Sequence, residues 1–151
     1  MTGEIYRELI RAAEGPTYIQ LRTRMALCIL AVTAIRINEL LPLKVSQLET
    51  LFKENWIAID RSKRGPSNHK AFLTKEGKKI IQDRKKDFQL IFLIKEPNAY
   101  VFSPEINHFK KLRREVITTD VNKIMHKVSK ISSGQPNITS HSFRVGYITQ
   151  L

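Results

Sequence analysis

Apolar residues recur at helical spacing through most of this chain. Ile5, Leu9, Ile10 and Ala13 follow a start at Thr2-Gly3-Glu4-Ile5, so a first helix is expected as far as Gly15-Pro16. Thr17 can cap a second helix that carries Tyr18, Leu21, Met25, Cys28, Ile29 and Val32 on one broad face, with Arg22 and Arg24 off that stripe. Near Thr33 the chain turns into a short helix containing Glu39 and Leu40, which Pro42 follows too late to prevent. From about Thr50 the pattern changes. Trp56-Ile57-Ala58-Ile59-Asp60-Arg61 and Lys70-Ala71-Phe72-Leu73 read as two strands, and Leu51-Phe52 as a candidate third. Between the two lies Ser62-Lys63-Arg64-Gly65-Pro66-Ser67-Asn68, turn chemistry with a basic tip.

Thr74-Lys75-Glu76-Gly77 opens another helix, with Ile80, Ile81, Phe88 and Ile91 along one side. The stretch from Lys95 to Asn107 is loop-like, with Pro97 and Pro104 around a short apolar Tyr100-Val101-Phe102. After the basic run Lys110-Lys111-Leu112-Arg113-Arg114, Thr119-Asp120 is expected to cap a helix with Val121, Ile124, Met125, Val128 and Ile131. A linker from Ser132 to Asn137 precedes a final helix near Thr139-Ser140. No internal repeat or domain boundary stands out. The expected fold is mainly α with one small antiparallel β-sheet, an α+β domain spanning residues 1–151.

Charge narrows the partners. Lys and Arg number 26 against 14 Asp and Glu, a net +12. Such an excess works against folding through self-repulsion, and its usual meaning is a polyanionic partner. Nucleic acid comes first. A membrane surface fits poorly, because the basic residues are spread along the chain and no apolar run reaches the ~18 residues of a spanning helix. Cys28 stands alone among Leu27, Ile29 and Leu30, which reads as a buried core thiol rather than a nucleophile. His69, His108 and His126 lack metal-ligand spacing.

Two stretches carry candidate chemistry. Thr33-Ala34-Ile35-Arg36-Ile37-Asn38-Glu39-Leu40-Leu41 sets one guanidinium, a planar fork suited to two oxygens of a phosphate, in an apolar run. The simpler alternative is that Arg36 pairs with Glu39, three residues on. His141-Ser142-Phe143-Arg144 places an imidazole and a guanidinium one helical turn apart, where the two could share a phosphate. Lys63, at the tip of the hairpin, could swing to a leaving oxygen or could simply be solvated.

The order of these elements resembles the catalytic domain of the tyrosine recombinases, the phage-type integrases, over nearly the whole chain. Ala34-Ile35-Arg36-Ile37-Asn38-Glu39-Leu40 is similar to the family's first arginine box, with Ala34 in place of its usual Gly. Ser62-Lys63-Arg64-Gly65 is similar to its Ser-Lys-Thr-Gly hairpin, and His141-Ser142-Phe143-Arg144 to its second box. The resemblance implies a tyrosine that attacks a DNA phosphodiester to form a phosphotyrosine, with no metal and no cofactor. It implies that Arg36 and Arg144 hold the non-bridging oxygens, that Lys63 rather than Lys70 protonates the leaving oxygen, and that His141 assists. Glu39 would orient the Arg36 region. Double-stranded DNA is the implied partner, a homotetramer on paired DNA sites the implied assembly, and the protein would be intracellular and DNA-associated.

The family's nucleophile normally follows the second box by a few tens of residues. None of Tyr6, Tyr18, Tyr100 and Tyr147 matches that position, and the chain closes at Leu151. A catalytic core without its nucleophile, inactive as this fragment, is therefore expected. Two other classes compete with it: a non-catalytic DNA-binding domain descended from a recombinase, and a basic RNA-binding protein.

Overall fold

The computed structural model describes residues 3–33, 35–59 and 69–131. The first helix, α1 (Gly3–Ala12), buries Tyr6, Leu9 and Ile10, the face its spacing predicts. Gly15 ends the turn that follows with φ 152°. A Cβ there would lie 2.0 Å from Oε1 of Gln20. That amide is fixed by the cap of the next helix: Gln20 N–H donates to Thr17 Oγ1 and Thr17 N–H donates to Gln20 Oε1, both at 3.1 Å.

The capped helix, α2 (Tyr18–Thr33), is buried nearly all round rather than along a stripe. It is the axis of the domain and packs against α1, the short α3 (Ile37–Leu40), α5 (Lys75–Asp83), α6 (Lys85–Ile94) and α7 (Arg114–Ile131). Gly77 allows one of these approaches, since a Cβ on it would come within 3.3 Å of Thr74 Oγ1 and 3.6 Å of Val32 Cβ.

Between α3 and the sheet lies α4 (Val45–Glu54), closed by Asn55 in the left-handed conformation at φ 66°. Leu51 and Phe52 belong to this helix and form no strand. Val45, Leu48 and Leu51 recur every three residues and go into the core, so helical burial overrides the β propensity of the last pair. The sheet has two antiparallel strands, β1 (Trp56–Ile59) and β2 (His69–Phe72), with Trp56 opposite Phe72 and Ile59 opposite His69. Ile57 and Ile59 face the core against α4.

Two helix boundaries also differ from expectation. The run from Thr74 to Ile91 is two helices, because Arg84 leaves the helical path at φ −104°, ψ 19°. That break turns Asp87 toward Arg24 and lets Arg84 reach Glu14 at 2.9 Å. The last described helix, α7, starts at Arg114, so Thr119 and Asp120 lie inside it. Arg22 and Arg24, read as off the buried stripe, are both 5% exposed. The linker and final helix expected after Ser132 lie outside the described residues. The observed architecture is mainly α with a small antiparallel sheet.

Candidate active site

A buried guanidinium is costly unless an anion or several carbonyls meet it, so the partners of an arginine reveal its work. Three arginines lie on or just after α2. Arg24 forks onto Asp87, with Nε at 3.1 Å and Nη2 at 3.2 Å, and its Nη1 donates to the carbonyls of Ala13 and Gly15, each at 3.0 Å. It clamps the α1–α2 turn to α6. Arg22 donates through Nη2 to Asp120 at 2.8 Å and through Nη1 to the carbonyl of Ser103 at 3.2 Å. Both cations are consumed by the fold.

Arg36 differs. It sits half-buried at the N-cap of α3 with an extended backbone, φ −85° and ψ 159°. Its backbone N–H donates to Glu39 Oε1 at 2.8 Å. Glu39 therefore orients the peptide at Arg36. Among the described residues, no hydrogen bond or ion pair engages the Arg36 guanidinium. A cation fixed at its base, with no described partner at its head, on a domain of net charge +12, can take an external anion.

Lys63, His141 and Arg144 lie outside the described residues. The structure thus brings Arg36 and Glu39 together, and pairs the two strands on either side of residues 60–68 in register from Ile59–His69 onward. Lys70 is exposed on β2 with its Nζ 4.6 Å from the Trp56 ring centroid, a cross-strand contact that gives it a structural partner.

Two features escaped the sequence. Lys95, 5% exposed, donates to Tyr18 OH at 2.7 Å, the Tyr100 and Val101 carbonyls at 3.0 and 2.8 Å, and Ser103 Oγ at 3.0 Å. Burial, and next the charge of Arg22, lower its pKa to about 8. Its position just after an apolar helix suggested a loop residue, and only the contacts reveal a core lysine. Second, a cavity of about 500 Å³ opens along α7, lined among the described residues by Thr119, Asn122, Lys123, His126 and Lys127. The i, i+3, i+4, i+7 spacing of those positions marks one helix face in hindsight. No described helix is long and apolar enough to cross a membrane.

With this geometry in place the relatives can be compared. The model of the phage integrase family matches residues 1–151. The chain belongs to that family. No curated protein matches it in sequence. In structure it is similar to the XerA recombinase, with a TM-score of 0.70 at 19% identity, over 99% of this chain and 49% of XerA. It is also similar to the XerH site-specific recombinase bound to its palindromic difH substrate in a post-cleavage complex, with a TM-score of 0.62 at 17% identity. That match covers 99% of this chain and 40% of XerH. The chain therefore spans about half the length of one such recombinase and about two fifths of the other. Its fold is that of a tyrosine recombinase catalytic domain.

Proposed function

We propose that this domain is the DNA-binding catalytic core of a tyrosine site-specific recombinase, with Arg36 as a phosphate-binding residue. One observation supports the reading: of the three arginines grouped around α2, two are met by half-buried carboxylates, and the guanidinium of the third has no partner among the described residues. XerH, a family relative in fold, was solved on DNA, which supports duplex DNA as the partner.

In this reading Arg36 and Arg144 grip the non-bridging oxygens of a phosphodiester and hold the charge that grows there as phosphorus becomes pentacoordinate. Lys63 gives its proton to the departing 5′ oxygen. His141, near neutral in its ordinary titration range, donates to the phosphate or relays a proton. Glu39 acts through the backbone, accepting the Arg36 N–H and so fixing where that guanidinium starts. The working assembly is a homotetramer on two DNA sites.

The nucleophile is not among the described tyrosines. Tyr6 is buried and burial raises its pKa; Tyr18 is bonded to Ser103 and Lys95, and Tyr100 lies under Lys44, whose Nζ is 3.7 Å from the ring centroid. These residues by themselves are thus proposed to bind DNA without cutting it. A nicked duplex incubated with the 151-residue chain should give no covalent adduct on a denaturing gel. A phosphotyrosine adduct mapped to any of these residues would contradict that statement. The binding half is tested by duplex affinity: Arg36→Ala should weaken it by roughly tenfold or more, the scale of one charge-assisted phosphate contact, and Lys79→Ala on the exposed face of α5 by about twofold or less. Equal losses would replace the pocket with a diffuse basic surface.

A further inference from the structure

Among the described residues, no carboxylate pairs with Lys95. Asp120 of α7 is taken by Arg22 at 2.8 Å. Every described partner of the ammonium is a neutral oxygen, and most of them belong to one segment, the strap that runs from Pro97 to Ser103. An ammonium has three N–H donors and a neutral amine two, so losing one proton forces Lys95 to release or reverse one of these contacts.

The strap leads directly toward Arg36. Val101 N–H donates to the Leu43 carbonyl at 3.1 Å, Val45 N–H to the Ala99 carbonyl at 2.9 Å and Ser46 N–H to the Pro97 carbonyl at 2.8 Å. Residues 43–46 follow α3 at once, with Leu43 N–H bonded to the Leu40 carbonyl at 3.2 Å. Arg36 is the N-cap of that same four-residue helix. A helix of one turn has few internal bonds with which to hold its own place; α2 and α7 pack on it, and the strap bonds hold the segment that follows it.

We infer that Lys95 is a positioning residue for Arg36: its ammonium latches the strap, the strap holds residues 43–46, and these fix α3 and the phosphate-binding guanidinium. The inference rests on the reading of Arg36 given above and adds a pH dependence to it. Burial, and next the charge of Arg22, lower the Lys95 pKa to about 8, which brings the change close to neutral pH. The charged and titratable groups around it are Arg22 and Tyr18 from α2, Asp120 from α7, and Glu105 and His108 from the loop beyond the strap. Arg22 lowers the Lys95 pKa, and Lys95 in turn lowers that of His108. Burial lowers the pKa of His108 from its ordinary value and raises that of Tyr18, so these two move away from the window around 8 in which Lys95 titrates.

The test uses the whole 151-residue chain. In a titration from about pH 6.5 to about pH 9.5 followed by NMR, the amides of Val101, Val45 and Glu39 should shift with one midpoint, shared with the Lys95 side chain. Amides of α3 that stay still while Lys95 titrates would overturn the inference. Duplex affinity of the native chain should fall roughly three- to tenfold across that midpoint, the range of coupling carried through packed elements. In Lys95→Met, which keeps the stem and loses the charge, that step should vanish; a persisting step overturns the latch. If Lys95→Met fails to fold, Tyr18→Phe removes one of the four oxygens and should move the midpoint, and an unmoved midpoint counts against it. Arg36→Ala, run in the same series, separates the two ideas. If it binds like the native chain at every pH, the phosphate reading itself fails; if it is weakened while the step survives Lys95→Met, only the latch fails.

Discussion

Arg24 and Arg36 stand twelve residues apart and should respond in opposite ways to the same substitution. Arg24→Ala would leave the Asp87 carboxylate, 13% exposed, with only its longer 3.4 Å contact to Arg84, and would release the carbonyls of Ala13 and Gly15, a loss of about 3 kcal/mol. Arg36→Ala removes no internal partner among the described residues, so urea denaturation should show a change within about 1 kcal/mol. A large loss for Arg36→Ala would mean that the fold uses this guanidinium. Cys28 gives a second test at this scale. Burial pushes its thiol up to about 12, so at pH 8 it stays protonated and a thiol reagent should modify it only as fast as the protein unfolds. Because that pKa stands above the ordinary 9.0, its contribution to stability is present below about 9 and is lost as pH rises toward about 12. Rapid native labelling would place the thiol elsewhere. The cost of a lone cation in an apolar run is what singles out Arg36 in the sequence. The same argument could not sort Arg22 and Arg24, because their carboxylates lie 98 and 63 residues away and only the tertiary fold brings them in.

At the scale of elements, caps and periodicity carried most of the fold. Thr17 and Thr74 both cap as their chemistry predicts, Thr74 accepting Gly77 N–H at 3.0 Å through its hydroxyl. Thr74→Ala should cost about 1 kcal/mol in thermal or chemical unfolding, and no loss would show that packing of Gly77 against α2 holds α5 without its cap. The misread elements share one cause. The Leu51-Phe52 strand, the single helix from Thr74 to Ile91 and the Thr119-Asp120 cap rest on local propensity, and in each case tertiary contacts decide: burial of α4, the Glu14 and Asp87 partners of Arg84, and the bond from Arg22 to Asp120. A cap-forming Asp in mid-helix is a poor helix former, and its place there follows from the cation it meets. The Lys95 latch was hidden for the same reason, since its oxygens come mainly from backbone, which carries no sequence signature.

For the whole molecule, a charge of +12 makes DNA affinity strongly salt-dependent whatever the site does. The cavity face of α7 offers Lys123 and Lys127 as exposed phosphate contacts. Substituting either by Ala should lower the slope of log affinity against log salt by about 1 without changing preference among duplex sequences. An unchanged slope would take α7 out of the interface. Charge alone would serve an RNA-binding protein equally well, and the family match with the fold of recombinase catalytic domains is what separates the readings. The most direct measurement of the central claim is the arginine side-chain NMR spectrum with and without duplex DNA. Arg24, already bonded to Asp87, should show guanidinium protons protected from exchange in both states. Those of Arg36, identified by their loss in Arg36→Ala, should exchange freely in the unbound protein and become protected and shifted when duplex is added. Arg36 signals that are protected without DNA, or unmoved at saturation, would contradict the account.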